Sequence, residues 1–204
     1  MRRLFSAALV LGVGLTLVPD LSAQADPRLE ALKDEAQEMV QDRAKLVQEI
    51  IDHLFSFGEL GMQEFETQRY LTDLLADEGF DIELGVAGMP SAWTARWSNG
   101  SGSPVIAMGS DVDGIPQSNQ KPGVAYRDPI LAMAPGHGEG HNSGQAVNIV
   151  GALVVKELME RENIDGTLLI WPGVAEEQVA SKAFFVREGV FDGVDVNMFT
   201  HVSS

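Results

Sequence analysis

Apolar residues recur close to the helical period over 27–57, at Leu29, Leu32, Ala36, Met39, Val40, Leu46, Val47, Ile50, Ile51 and Leu54. Asp26 stands where an N-cap belongs and Pro27 at the first helical position. One amphipathic helix is therefore expected over 27–57, interrupted by Gly58 and Gly61. A second is expected over 64–76, stopping before Gly79. Beyond Gly79 the pattern shortens to β-like runs at 80–84, 92–97 and 105–108, separated by turn residues. A segment over 116–135, rich in Gly, Pro, Asn and Gln, follows. Uninterrupted loops of that length in compact domains are usually functional. The remaining pattern reads as a helix at 144–161, a strand at 167–171, a short helix at 181–188 and a strand at 196–200. This alternation predicts an α/β fold, a mostly parallel sheet flanked by helices. There is no internal repeat and no low-complexity linker.

The first residues follow another rule. Arg2-Arg3 precedes an uncharged apolar run over 4–18, then Ala23-Gln24-Ala25 and the polar Asp26. That order predicts a secretory signal peptide over 1–25, too short to serve as a membrane span, and a partial catalytic domain over 26–204. Export to the periplasm or outside the cell follows, with no stable membrane span after cleavage; an uncleaved anchor is the alternative. Arg2-Arg3-Leu4-Phe5 weakly resembles a twin-arginine export signal.

Of 204 residues 45% are hydrophobic, enough for the core of one domain. The formal charge is −16, and loss of Arg2, Arg3 and Asp20 with residues 1–25 makes it −17. So acidic a chain argues against nucleic acid and anionic membrane surfaces as partners. Cysteine is absent, so a metal site must be built from His, Asp and Glu.

Those residues cluster. Gly136-His137-Gly138-Glu139-Gly140-His141-Asn142 holds two of the four histidines and a carboxylate, spaced by glycines that let alternate side chains converge. Read blandly, it is a polar loop that opens the next helix. Asp111 and Asp113 follow one expected strand, Glu176 and Glu177 another, and His201 a third. Ligands in open α/β sheets bind beyond the carboxyl ends of strands. His53, on the first helix, reads as structural. Paired carboxylates such as Glu176-Glu177 are usually solvated. After an apolar strand and the turn Pro172-Gly173, however, one can ligate metal while its neighbour faces a water, an arrangement suited to metal-assisted hydrolysis.

Five segments in order resemble the aminoacylase and carboxypeptidase G type of di-metal peptidase, in particular its amidohydrolase subgroup, which includes aminobenzoyl-glutamate and indoleacetyl-amino-acid hydrolases. They are Glu59-Leu60-Gly61-Met62-Gln63-Glu64, Asp111-Val112-Asp113-Gly114-Ile115-Pro116, the loop 136–142, Ala175-Glu176-Glu177 and Phe199-Thr200-His201. The resemblance implies Glu176 as general base, with Glu139, His141, Glu177 and His201 as metal ligands. It also implies Asp111, Asp113 and His137 as neighbours of the metals rather than ligands. The cofactor implied is a divalent metal, two ions per site in a full-length protein, zinc first and manganese or cobalt as alternatives. The substrate implied is a small amide such as an N-acyl or N-aroyl amino acid.

Two departures qualify the resemblance. The subgroup usually has cysteine where this chain has Glu139, a harder ligand that favours manganese or cobalt more than a thiolate does. The family's catalytic domain is also longer. It carries a dimerisation domain and a further histidine ligand, so the chain is expected to correspond to an N-terminal part, inactive alone, with a homodimer only in a full-length form. The rival readings are a non-catalytic metal- or ligand-binding protein of the same fold, and an exported solute-binding protein with a fortuitous cluster.

Overall fold

The computed structural model describes residues 26–202. The expected signal peptide, 1–25, lies outside the described residues. Among those described, no helix is long and apolar enough to cross a membrane.

Two helices replace the single one expected over 27–57. α1 runs Pro27–Asp42 and α2 runs Ala44–Phe57, with Arg43 at φ −96°, ψ 11° between them. Neither Gly nor Pro marks the break. Arg43 has one local and one distant partner: its guanidinium donates to the Met39 carbonyl, one turn back, at 3.1 Å and pairs with Glu157 at 2.6 Å. Both helices pack on the long helix that carries Glu157. Asp26 does cap α1, its side chain accepting from the Arg28 amide at 2.9 Å. Gly58 closes α2 at φ 53°, ψ 49°, a conformation that favours glycine.

The chain continues through α3 (Phe65–Asp77), β1 (Asp81–Leu84), a 3-10 turn at Val86–Gly88, β2 (Trp93–Asn99) and β3 (Val105–Asp111). After the long excursion come α4 (His141–Glu162), β4 (Gly166–Gly173), α5 (Glu176–Val179), α6 (Lys182–Arg187) and β5 (Val196–Phe199). The five strands form one sheet in the order β1-β2-β4-β3-β5. β3 pairs in parallel with β4 and β5, while β2 pairs antiparallel with β1 and β4. The sheet is therefore mixed, with β2 the one strand running against the other four, and the helices flank it as an α/β fold requires.

β4 lies in the middle and is buried at every position. Its side chains alternate between two cores, as the strand period dictates. Leu168 and Ile170 join the larger core with Ile50, Leu54, Leu71, Leu75, Ile149 and Leu153 from α2, α3 and α4. Leu169 and Trp171 face the other way with Ala107, Phe191 and Val194. His53 is exposed and stacks on Tyr70 with centroids 4.4 Å apart, a structural role as read from the sequence.

The excursion over 116–135 has no helix or strand of its own. It leaves and re-enters through an Ile115–Gly136 bridge, and the Asn119 amide donates to the Ala134 carbonyl at 3.1 Å. Its two ends therefore meet where the Gly136–Asn142 loop begins.

Candidate metal centre

The carboxyl ends of β3, β4 and β5 converge on the N-terminus of α4. Asp111 closes β3, Glu176 and Glu177 open α5 just past β4, and His201 lies two residues beyond β5. His141 is the first residue of α4 rather than part of the glycine loop. That loop ends at Gly140, whose φ of 80° and ψ of 21° turn the chain into the helix. The β5 extension is tied in place: the Thr200 amide donates to the Gly109 carbonyl at 2.9 Å, and the Ser110 hydroxyl to the Thr200 carbonyl at 2.7 Å.

His141 is buried. Its Nδ1 lies 3.0 Å from the Asp113 carbonyl oxygen and 3.3 Å from Asp113 Oδ1. His201 Nδ1 lies 2.5 Å from the Val202 carbonyl oxygen. A carbonyl can only accept, so in both rings the hydrogen bonding puts the proton on Nδ1 and leaves Nε2 as a lone pair. The two Nε2 atoms face each other at 3.0 Å. Two lone pairs at that separation repel; a proton or a metal cation between the rings converts the repulsion into attraction.

The acidic groups supply the rest of a ligand set. Asp111, His141 and His201 offer ligand atoms within 4.8 Å of one another, as do Glu139, His141 and Glu177. The two trios share His141, whose single free nitrogen serves one ion. Glu177 Oε1 is buried without a hydrogen-bond partner. Burial, with the charges of Glu139, Asp113 and Glu176, raises the Glu177 carboxyl above its ordinary pKa, against the pull of His141. Burial opposes charge on His141 too, but the hydrogen bond to Asp113 and the Asp111 charge win and raise it. Such a crowd of carboxylates around half-committed imidazoles fits a hard-to-borderline divalent cation.

The other expected residues sit close by. Asp113 is in neither trio; its Oδ2 accepts from the Glu177 amide at 3.0 Å, so it orients two members of the cluster. Asp111, expected only as a neighbour, comes within ligand reach. His137 is in neither trio. Its Nε2 donates to the Leu54 carbonyl at 2.9 Å, fastening the glycine loop to α2, and burial pushes its pKa down to about 4. Glu176 is half-buried beside the cluster, in the first turn of α5.

Lys182 is a member of the site that sequence reasoning misses. Its ammonium sits 2.6 Å from Asp111 Oδ1 and 3.7 Å from Glu176 Oε1, and over the Phe199 ring at 4.8 Å. Burial raises the Asp111 carboxyl, and Lys182 is the main influence holding it down. A lysine in a short amphipathic helix carries no local signal of such a position.

No family model matches the chain. It is 33% identical over 153 residues to one of the subunits of the p-aminobenzoyl-glutamate hydrolase of Escherichia coli, covering 75% of this chain and 31% of that protein. It is 30% identical over 161 residues to an N-acyl-L-amino acid amidohydrolase of Geobacillus stearothermophilus, covering 74% and 40%. A dinuclear metal-binding peptidase of Bacillus subtilis shares the fold with a TM-score of 0.59 at 23% identity, over 85% of this chain and 44% of that one. The chain thus spans 31–40% of the length of these curated relatives.

Proposed function

We propose that this chain, a homologue of the aminoacylase and carboxypeptidase G-type di-metal peptidases, is the metal-binding catalytic portion of a metal-dependent amidohydrolase. The observation that carries the reading is the meeting of His141 Nε2 with His201 Nε2 at 3.0 Å, with Asp111 within ligand reach of both rings and Glu139 and Glu177 within ligand reach of His141. His141 with Asp111 and His201, or with Glu139 and Glu177, would hold the ion. A bound divalent metal would supply Lewis acidity to the scissile carbonyl and lower the pKa of a water.

The chain's own groups do the rest. Glu176 and Glu177 are adjacent in a helical turn, so their side chains diverge by about 100°. Glu177 can face the ion while Glu176 faces the water. Glu176 takes the water's proton as the C–O bond forms and returns it to the amide nitrogen as the C–N bond breaks. Lys182 keeps a positive charge beside both Asp111 and Glu176. The substrate proposed is an amide joining an acyl or aroyl group to an amino acid, the chemistry named for the relatives. Zinc is the first choice of metal. Export, read from residues 1–25, and a homodimer in a full-length form belong to the same proposal.

The test compares wild type with Glu176→Gln, in this chain and in a form extended through any downstream reading frame. Zinc and manganese content are measured alongside hydrolysis of N-acetyl-amino acids and p-aminobenzoyl-glutamate. Stoichiometric metal in both proteins, with turnover in the extended form of wild type and none in the extended form of Glu176→Gln, is expected. Metal without turnover in either form would favour the non-catalytic binder. Absence of metal would overturn the site.

A further inference from the structure

One motif has no part in holding metal, yet it reaches both catalytic turns. In the segment 59–64, the Glu59 carbonyl accepts from the Gly114 amide at 2.6 Å and Leu60 bridges Gly114, on the turn that follows β3. Gly61 packs so closely on the turn after β4 that a Cβ there would stand 2.6 Å from Ala175 Cα. At the end of the segment Glu64 is completely buried, its side chain joining two residues far apart in sequence. Oε1 accepts from the Ala175 amide at 2.7 Å, and Oε2 accepts from the buried Ser91 hydroxyl at 2.5 Å.

The Ala175 bond falls at a demanding place. Ala175 adopts φ 49°, ψ 37°, the left-handed region that alanine disfavours, and it is the residue from which α5 departs. That turn aims Glu176 and Glu177 at the cluster. A second tie, the Ser181 hydroxyl donating to the Val174 carbonyl, closes the far side of the same turn. A buried carboxylate is costly unless it is well bonded, and an apolar residue would fill the volume more cheaply. Core filling alone therefore does not explain Glu64.

We propose that Glu64 is a positioning residue: its carboxylate, braced by Ser91, holds the Ala175 amide in the left-handed turn and thereby aims Glu176 and Glu177. The inference rests on the metallohydrolase reading for its functional meaning, but the turn itself can be observed without metal. Glu64→Gln retains an oxygen for the Ala175 amide and can donate its amide hydrogen to Ser91 Oγ, whereas Glu64→Ala retains neither. Leu75→Ala, a buried core truncation on α3, serves as a variant that loses stability without touching the turn.

The experiment is amide hydrogen exchange over 174–177 in the metal-free proteins, with the affinity for zinc alone measured by calorimetry. In Glu64→Ala, exchange over 174–177 is expected to quicken at least tenfold relative to Leu75→Ala, and zinc affinity to fall at least tenfold. Glu64→Gln is expected to stay within about threefold of wild type in both. If Glu64→Ala does not fold, Ser91→Ala removes only the brace, and the same two readouts are expected to move several-fold in it and not in Leu75→Ala. Exchange over 174–177 that matches Leu75→Ala in the folded variants overturns the proposal. A wild type that binds no zinc overturns the metal reading instead, while the exchange data still decide the role of Glu64.

Discussion

Asp113 and Glu177 join the ends of two neighbouring strands: the Glu177 amide donates to Asp113 Oδ2 at 3.0 Å. The same aspartate receives His141 Nδ1 on its carbonyl oxygen at 3.0 Å. One residue thus sets the direction of an imidazole and a carboxylate that belong to the same trio. Groups that orient ligands typically change metal affinity about 10- to 100-fold when removed. Asp113→Ala keeps the carbonyl but removes the carboxylate that holds the Glu177 amide and lies 3.3 Å from His141 Nδ1, so it is expected to weaken zinc binding about 10-fold while leaving the helical content intact. Calorimetry and circular dichroism together check it; unchanged affinity would remove Asp113 from the site.

Metal binding should be visible as stability. A ligand that binds only the folded state at about 100 times its Kd contributes ~2.7 kcal/mol. For a domain of this size that corresponds to a Tm increase of roughly 5–10 °C. Zinc is expected to raise the Tm by this order and a chelator to reverse it. His201→Ala, which leaves His141 Nε2 without its facing partner, is expected to abolish most of the increase. An equal increase in wild type and variant would contradict the pairing.

His137 gives a pH signature of known sign. Burial lowers its pKa from 6.5 to about 4, so the folded state disfavours its protonation. The stability tied to neutral His137 is fully present above pH 6.5 and is lost as the pH falls through about 4, because the unfolded chain takes up the proton first. The full difference is worth up to about 3 kcal/mol. His137→Gln keeps a donor for the Leu54 carbonyl but does not titrate. The stability advantage of wild type over this variant, measured without metal by urea unfolding, is expected to shrink steadily from pH 7 to pH 4. A difference that stays flat over that range would exclude the buried neutral imidazole.

Glu139 is exposed at the rim of the second trio, a carboxylate at the position where the resemblance implies a thiolate. Glu139→Cys introduces a softer and oxidisable ligand. Its preference for zinc over manganese is expected to rise about tenfold, and its zinc binding to become sensitive to peroxide. Competition titrations before and after peroxide provide the check. Identical preference and tolerance in both proteins would mean that Glu139 does not touch the ion.

The local signals that proved readable were those whose cause is local. Asp26 before Pro27 announces a helix start because a side-chain oxygen two residues away satisfies the free Arg28 amide. The apolar run of β4 reads as a strand because it is buried on both faces. The break at Arg43 has no such signal: neither Gly nor Pro marks it, and the Glu157 that pairs with its guanidinium lies more than a hundred residues away. Lys182 and Glu64 are similar. Lys182 looks like an ordinary surface position, and Glu64, though it ends one of the five motif segments, shows no role by type or spacing; only the folded chain brings Asp111 to one and the Ala175 amide to the other.

By itself the sequence determined the inventory of chemistry: histidines and carboxylates without cysteine, stationed at three strand ends and one glycine loop, in an order shared with the di-metal hydrolases. It also determined the alternation of elements, because hydrophobic period is a property of neighbouring residues. Only the tertiary structure decided which of those groups meet. The parallel pairing of β3 with β4 and β5 brings Asp111, Glu177 and His201 to the same end of the sheet. The departure of α4 from Gly140 then sets His141 among them. Convergence at a few ångströms depends on strand register and helix docking, which are fixed by packing across the whole core and not by any short stretch of residues.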